Sequence, residues 1–191
     1  MSEPAIFSVV QLGEYPATRS RGQEGRVRLD DLLVDREGVD LTIDFAGVKV
    51  MNISFADEFL GKFLVSHDFA ATGTTVKVAG LNADNRYSVV VCVERREARV
   101  VVREEDGKLT LVGDKIDKML SATFEKAIEL GTFKANDLAD ALSLTAQNAN
   151  NRLKRLTESG ALRRAQVTGS TRGGKQFVYH AVSAEIPAMS A

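Results

Sequence analysis

The stretch TFKANDLADALSLTAQNANNRLKRLTESGALRR, residues 132–164, and its continuation AQVTGSTRGGKQFVYHAV, residues 165–182, carry the clearest order of secondary-structure elements in this 191-residue chain. The first part carries apolar residues at the spacing of two short helices joined by a tight turn. The second part alternates in the manner of two strands around a glycine-rich, basic tip. The sequence therefore predicts a helix, a turn, a second helix and a two-stranded hairpin, in that order.

The two helices are predicted from the spacing of their apolar residues. Ala149, Leu153 and Leu156 repeat at i, i+4 and i+7, which is one face of a helix. The segment 143–145 before it has room only for a tight turn, and the pair 159–160 ends the helix because Gly160 tolerates a left-handed conformation. The shorter helix and the turn after it carry the other apolar positions, which are Leu138, Ala139, Leu142 and Leu144.

Two strands are predicted after the helices, at Ala161–Thr168 and Gln176–Val182, with the tip Gly169–Lys175 between them. The tip nearly matches the G-x-x-x-x-G-K pattern of a phosphate-binding loop. However, Gln176 stands where that loop needs Ser or Thr to hold magnesium, and a strand follows where that loop needs a helix. The tip is therefore interpreted as the turn of a hairpin.

This order of elements resembles the winged helix-turn-helix of bacterial transcription regulators over about residues 114–183. The resemblance is carried by a helix, the sequence LSLT at 142–145, a second helix and the sequence SGAL at 159–162. It implies that residues 113–185 form a winged helix-turn-helix domain, led by a helix at Lys115–Leu130, and that double-stranded DNA is a partner. Some winged helices bind only protein, and the resemblance leaves that alternative open.

The charge of the chain is uneven along its length. The whole chain carries a net charge of −1, whereas the segment 145–176 contains seven basic residues and one acidic residue, a net charge of +6. Such a concentration of positive charge localises a contact with nucleic acid to the C-terminal half. The alternative is that Lys and Arg only keep a helix face hydrated, and charge alone does not decide between the two.

The second helix of a helix-turn-helix lies in the major groove and presents side chains to base edges. With Ala149, Leu153 and Leu156 turned inward, its amides and arginines are expected to point outward, where Asn and Gln pair with adenine and Arg pairs with guanine. Thr145 is the predicted cap, and the remaining basic residues are expected to contact phosphates or enter the minor groove. The candidate DNA-binding residues are Thr145, Gln147, Asn148, Asn151, Arg152, Lys154, Arg155, Arg164, Arg172 and Lys175.

The first half of the chain alternates between strand and helix patterns, which predicts an α/β sandwich over residues 1–112 and a boundary near Gly113. The predicted strands are Ala5–Val10, Leu41–Phe45 and Thr75–Ala79, with Val48–Ile53 as a continuation of the second strand and a hairpin at Arg99–Arg103 and Lys108–Val112. The predicted helices begin at the capping box Ser20–Gln23, at Ser54 and near Asn85, the last one capped by Asn82 or Asp84.

The helix at 54–64 has the clearest pattern of the first half. Ser54 is the predicted N-cap, and Glu58 and Lys62 are spaced for an ion pair on the polar side. The apolar face is built on a four-residue repeat of phenylalanines, which are Phe55, Phe59 and Phe63.

The stretch LTIDFAGVKVMNISFADEFLGKFL, residues 41–64, resembles the STAS-like family of uncharacterised bacterial domains. The resemblance is carried by Asp44–Val48 and Ser54–Lys62 and extends over about residues 5–100. In the related anti-sigma factor antagonists, a partner kinase phosphorylates a serine at the start of this helix. The resemblance therefore implies that Ser54 is a candidate phosphorylation site, at a helix end that can hold a phosphate, and that a kinase-like ATPase is a candidate partner. The antagonists carry an Asp-Ser-Ser-Gly type of sequence there, which this chain lacks, so the alternative that Ser54 is only a cap stays open.

Composition and motifs argue against other classes of protein. Cys92 is the single cysteine, which excludes an internal disulfide and fits a reducing cytoplasm. No apolar run approaches the roughly 18 residues of a membrane span, and no secretory signal is present. His67, His180 and Cys92 cannot by themselves build a closed zinc site, and the G-x-S-x-G and H-E-x-x-H sequences of hydrolases are absent. We therefore expect no metal, no cofactor and no enzymatic activity.

The sequence thus predicts a cytoplasmic transcription regulator that binds DNA as a homodimer. Its STAS-like domain at 1–112 would sense a signal, dimerise or bind a partner, its winged helix-turn-helix at 113–185 would bind DNA, and residues 186–191 would form a flexible tail. The alternative is a protein-interaction switch, similar to an anti-sigma antagonist, that works with a kinase-like ATPase.

Overall fold

The computed structural model describes residues 3–167 and 176–187. The first half of the chain has a mixed α/β fold around a five-stranded sheet. Its elements are β1 (Glu3–Ser8), a 3-10 turn (Val9–Leu12), α1 (Arg19–Asp31), β2 (Val39–Asp44), α2 (Ile53–Ala56), a π-helical segment (Asp57–Gly61), α3 (Lys62–Ser66), α4 (Phe69–Thr72), β3 (Thr75–Ala79), α5 (Ala83–Arg95), β4 (Arg99–Arg103) and β5 (Leu109–Gly113).

The sheet has the strand order β1-β2-β3-β4-β5. The strands β1 to β4 run parallel, and β5 pairs antiparallel with β4. All the helices of the first half pack against one face of this sheet, where their side chains form the N-terminal core with Leu41, Val76 and Val102. A parallel-dominated sheet covered by helices fits the STAS-like α/β fold that the family resemblance implies.

The phenylalanine repeat occupies the centre of the N-terminal core, as its spacing predicts. Phe55, Phe59 and Phe63 are fully buried. The ring of Phe59 lies 5.4 Å from the ring of Phe55, centroid to centroid, and 5.6 Å from that of Phe7 on β1. These aromatic contacts fix the helix against the sheet.

The helix α1 begins earlier than predicted, because Thr18 and not Ser20 accepts the capping hydrogen bond, from Arg21 N at 3.2 Å. The two glycines of this helix serve close packing. A Cβ atom on Gly22 would lie 2.9 Å from Glu58 Cβ, and one on Gly25 would lie 3.0 Å from the Phe59 ring. Only glycine lets α1 approach the phenylalanine-bearing helix this closely.

Two further predictions for the first half are wrong. The segment 48–53 is not a strand, because the buried side chain of Asn85 bonds its backbone at Val48 O and Met51 N, both at 3.0 Å. Ser54 is not the helix cap, because Asn52 Oδ1 accepts the hydrogen bond from Phe55 N at 2.8 Å. The predicted cap Asn82 of α5 and the predicted strand Thr75–Ala79 are confirmed.

Among the described residues, the second half of the chain contains α6 (Lys118–Leu130), β6 (Thr132–Phe133), α7 (Ala135–Ala141), α8 (Ala146–Glu158), β7 (Leu162–Val167) and β8 (Gln176–Ala181). These strands form a small antiparallel sheet with the order β6-β8-β7. The strand predicted at Gln176–Val182 is confirmed within one residue as β8, whereas the sequence pattern does not predict β6. The helix α6 starts later than predicted, because Asp117 caps it through Leu120 N at 2.7 Å. The predicted tip 169–175 lies outside the described residues.

The β4–β5 hairpin belongs to both halves, because its two faces point into two different cores. Val100, Val102 and Val112 lie in the N-terminal core. Side chains on the other face pack into the C-terminal core, which also contains Leu120, Phe124, Leu153 and Leu156. These hairpin side chains are Val101, Leu109 and Leu111. The domain boundary near Gly113 stays a prediction. Side chains from both sides of Gly113 pack together in the C-terminal core.

The two halves also touch where α8 ends. The backbone of Val76 on β3 donates a hydrogen bond to Gly160 O at 2.9 Å. Arg163 on β7 donates to Gly38 O at 3.3 Å and pairs with Asp40 at 3.8 Å. After β8, the chain crosses back to the sheet of the first half, where Arg103 Nε donates to Ala184 O at 2.7 Å. Of the predicted tail 186–191, residues 188–191 lie outside the described residues.

Over the described ranges 3–167 and 176–187, no helix combines the length and the apolar character that crossing a membrane requires.

Cys92 gives a direct test of the N-terminal core. Its thiol is fully buried and donates to Val89 O at 3.2 Å, and burial raises the pKa of Cys92 to about 12. We expect the native protein at pH 8 to react with a disulfide reagent at least about 100-fold more slowly than the urea-unfolded chain, because only an accessible thiolate reacts. Equal rates in the two states, followed by absorbance, would contradict the buried position.

The burial of Cys92 also makes the free energy of unfolding depend on pH. Since the folded thiol keeps its proton to a higher pH than the unfolded thiol, whose pKa lies near 9.0, Cys92 makes the free energy of unfolding fall as the pH rises from 9 toward 12. Urea unfolding of Cys92→Ala over the same pH range is expected to show a shallower fall than the wild type.

Candidate nucleic-acid interface

The helix α8 carries most of the predicted DNA contacts. It is capped as predicted, because Thr145 Oγ1 accepts a hydrogen bond from Asn148 N at 3.2 Å. Its apolar face is buried in the C-terminal core through Ala149, Leu153 and Leu156. The exposed side chains on the opposite face include those of Gln147, Asn148, Asn150, Asn151 and Lys154, together with the acidic Glu158.

Arg152 and Arg155 do not point outward as predicted. Arg152 Nη1 donates to Thr123 Oγ1 on α6 at 3.1 Å, and Arg155 Nη2 donates to Lys115 O at 2.6 Å. Both side chains are half-buried. Their spacing of three residues puts them on one flank of α8, and that flank faces α6 rather than solvent. The two arginines therefore hold α8 against the helix that precedes it.

A groove of about 370 Å³ runs along the other flank of α8. Asn150, Asn151 and Lys154 form its helical wall, and Arg164 and Tyr179 from the small sheet form the opposite wall. The guanidinium of Arg164 stacks over the Phe177 ring, 4.4 Å from its centroid, which orients an otherwise exposed side chain. Thr157 and Glu158 of α8 also line the groove, which thus combines amide groups with two cations and one carboxylate.

The groove carries less positive charge than the net charge of +6 over residues 145–176 suggests. Lys154 pairs with Glu158 at 3.7 Å, an exposed contact that leaves its ammonium available. Arg163 is not at the groove, since it contacts Gly38 and Asp40 of the first half. The predicted contacts Arg172 and Lys175 lie outside the described residues.

Five residues of the groove are not among the predicted DNA contacts, which are Ala70, Asn150, Thr157, Glu158 and Tyr179. Asn150 belongs to the amide run 147–151, so the sequence carries a signal for it. Tyr179 is predicted only as part of a strand. Ala70, on the short helix α4, closes one end of the groove, and only the packing of the two halves brings it there.

Ser54 is exposed and lies in the first turn of its helix, two residues after the cap position that was expected for it. The two carboxylates that follow it are already engaged. Asp57 accepts two hydrogen bonds from Arg96 at 2.8 and 2.7 Å, which lower the pKa of Asp57, and Glu58 pairs with Lys62 at 2.7 Å. These contacts offset part of the repulsion that the two carboxylates would exert on a phosphate at Ser54.

In the part of the chain that the structure describes, no group of three or more His, Cys, Asp and Glu side chains is close enough to hold a metal ion.

The contacts of Arg155 predict a structural effect that is independent of any ligand. We expect Arg155→Ala to lower the free energy of unfolding by about 1 kcal/mol, because it removes the hydrogen bond to Lys115 O. Asn151→Ala is the matched control on the exposed face, where the higher helix propensity of Ala is expected to leave stability unchanged or to raise it by a few tenths of a kcal/mol. Urea unfolding measures both. A larger loss for Asn151→Ala than for Arg155→Ala would contradict the assignment of the two flanks.

Residues 27–86 match the model of a family described as a STAS-like domain of unknown function (DUF4325). The match runs from the middle of α1 through β2, α2, α3, α4 and β3 to the first turn of α5. No curated protein matches the chain. The chain therefore contains a STAS-like domain, in agreement with the α/β fold of its first half.

Proposed function

We propose that this protein is a DNA-binding transcription regulator in which residues 113–185 form a winged helix-turn-helix. The observation that carries the proposal is the exposed face of α8. This face begins at a capped N-terminus, bears Gln147, Asn148 and Asn151, and borders a groove that contains Lys154 and Arg164.

The order of elements supports the proposal. The helix α6 is followed by the short strand β6, then by α7, a tight turn, α8 and the β7–β8 hairpin. The strand β6 follows α6 and pairs with β8, so this pairing holds the end of α6 against the β7–β8 hairpin. In helix-turn-helix proteins the second helix of the motif enters the major groove, and here that helix is α8.

The chemistry of the exposed face also supports it. Asn and Gln side chains can bond adenine bidentately, and Lys contacts phosphates as a point charge. The positive end of the α8 dipole, together with the Thr145 hydroxyl, favours a phosphate near the start of the helix. Within this proposal, Asn148 and Asn151 read bases, and Lys154 and Arg164 contact the backbone.

In this proposal Arg152 and Arg155 position α8, although their residue type alone suggests contacts with DNA. Their bonds to Thr123 and Lys115 fix the angle of α8 on α6. A helix held at a fixed angle presents its amides at a defined register, which lowers the entropy lost on binding. We assign the two arginines to positioning.

The first half of the chain acts, in this proposal, as a sensing, dimerisation or partner-binding domain. A homodimer fits the two-fold symmetry of the sites that helix-turn-helix proteins read. A cytoplasmic location follows from the partner, since the DNA of a bacterial cell lies there.

A second candidate function is a protein-interaction switch partnered with a kinase-like ATPase. One specific observation favours it, which is the exposed Ser54 in the first turn of a helix whose neighbouring carboxylates are compensated by Arg96 and Lys62. Incubation with candidate kinases and mass spectrometry of the Ser54 peptide would test this function.

DNA binding is tested by fluorescence anisotropy with DNA from the region upstream of the coding sequence and with scrambled DNA, at two salt concentrations. We expect tight binding to the first and weaker, more salt-sensitive binding to the second. Asn151→Ala is expected to weaken specific binding by about 1–3 kcal/mol and to relax base preference at one position. Lys154→Ala is expected to weaken both complexes and to lower the salt slope by about 1.

Lys108→Ala is the control for the charge change, because Lys108 is also exposed but pairs with Glu125 away from α8. It is expected to bind like the wild type. If neither DNA binds, or if Asn151→Ala and Lys154→Ala bind as well as the wild type, the proposed interface is wrong and the protein-interaction switch becomes the better candidate.

A further inference from the structure

Lys77 is a buried basic residue on the sheet face opposite the helices of the first half. It lies on β3, and its whole residue is only 2% exposed. Its neighbour across the parallel pair is Thr42, which is fully buried and whose Oγ1 has no hydrogen-bond partner among the described residues. An almost fully enclosed lysine side chain that lines a cavity and an unpaired hydroxyl therefore lie side by side on one sheet face.

A cavity of about 460 Å³ opens over Lys77. Its apolar walls are Pro4 from β1 and Ile186 and Pro187 from the segment after β8. Its polar walls are Asp40 and Glu185. The segment with Ile186 is held to the sheet by the bond from Arg103 Nε to Ala184 O at 2.7 Å.

Lys77 lacks a direct partner at this cavity. Asp40 Oδ1 already accepts a hydrogen bond from Thr75 Oγ1 at 2.6 Å and faces Arg163 at 3.8 Å. Among the residues that the structure describes, none forms a hydrogen bond or an ion pair within 4.0 Å with Lys77 Nζ. Burial lowers the pKa of Lys77, whereas the charge of Asp40 acts in the opposite direction. A buried ammonium without an anion in contact is costly unless a ligand supplies one.

We propose that this cavity binds a small organic monocarboxylate, whose carboxylate pairs with Lys77 Nζ and whose apolar body packs against Pro4, Ile186 and Pro187. An anionic oxygen is the partner that the ammonium of Lys77 lacks, and a hydrogen bond between two charged groups is stronger than one between neutral groups. Asp40 and Glu185 repel every anion, and they repel a dianion more strongly than a monoanion, so phosphate and dicarboxylates are disfavoured. The proposal is independent of DNA binding.

The test uses the full chain with hexanoate and benzoate as probes. Hexanamide and benzamide are the neutral controls of the same shape, and inorganic phosphate is the dianion control. We expect both carboxylates to raise Tm in a saturable manner and to give one binding site by calorimetry, because a ligand that binds only the folded state stabilises it. The amides and phosphate are expected to have no such effect.

Two variants separate binding by Lys77 from a purely structural role. Lys77→Met keeps the length of the side chain, and replacing a buried charge with an apolar group preserves the fold in many proteins. We expect it to weaken carboxylate binding at least about tenfold. The exposed Lys108→Met is the matched control and is expected to bind like the wild type.

Glu185→Gln changes an exposed residue, so it tests the same site without risk to the core. Removing its negative charge is expected to strengthen carboxylate binding several-fold, an effect that a structural role of Lys77 would not produce. The proposal is overturned if neither carboxylate binds saturably to the wild type, if Lys77→Met binds as tightly as the wild type, or if Glu185→Gln leaves the affinity unchanged.

Discussion

A mostly parallel sheet has to be covered on both faces, and this constraint organises the whole molecule. The helices of the first half cover one face only. On the other face, the C-terminal core covers the β4–β5 end, and the segment after β8 crosses the region near Lys77. The second half of the chain is thus part of the packing of the sheet, and the arrangement of α8 relative to the STAS-like domain follows from that packing.

Periodic features of the sequence predicted the fold well wherever one face of an element is apolar and buried. The phenylalanine repeat at 55, 59 and 63 and the apolar face of α8 at 149, 153 and 156 are both buried as expected. The helix starts were less accurate, because several polar residues compete for one cap. Asn52 takes the role expected of Ser54, since its amide also bonds Ala17 O in the loop before α1.

The candidate site was less predictable than the fold, because its geometry depends on neighbours that are distant in the sequence. Arg152 and Arg155 belong by type to a DNA-reading helix, and only the position of α6 turns them inward. Lys77 alternates with apolar residues along β3, which suggests an exposed side chain, but the segment after β8 covers it. The surroundings of Asp40 also depend on distant segments, since it lines the cavity at Lys77 and pairs with Arg163 of the small sheet.

The two-faced β4–β5 hairpin has a consequence for related proteins. A STAS-like module that stands alone would expose the outer face of this hairpin to water. Three neighbouring apolar side chains would then form an exposed patch at the edge of the sheet, which favours aggregation. We expect a relative without the second half to carry polar residues at the positions of Val101, Leu109 and Leu111, and a relative with the second half to keep apolar ones.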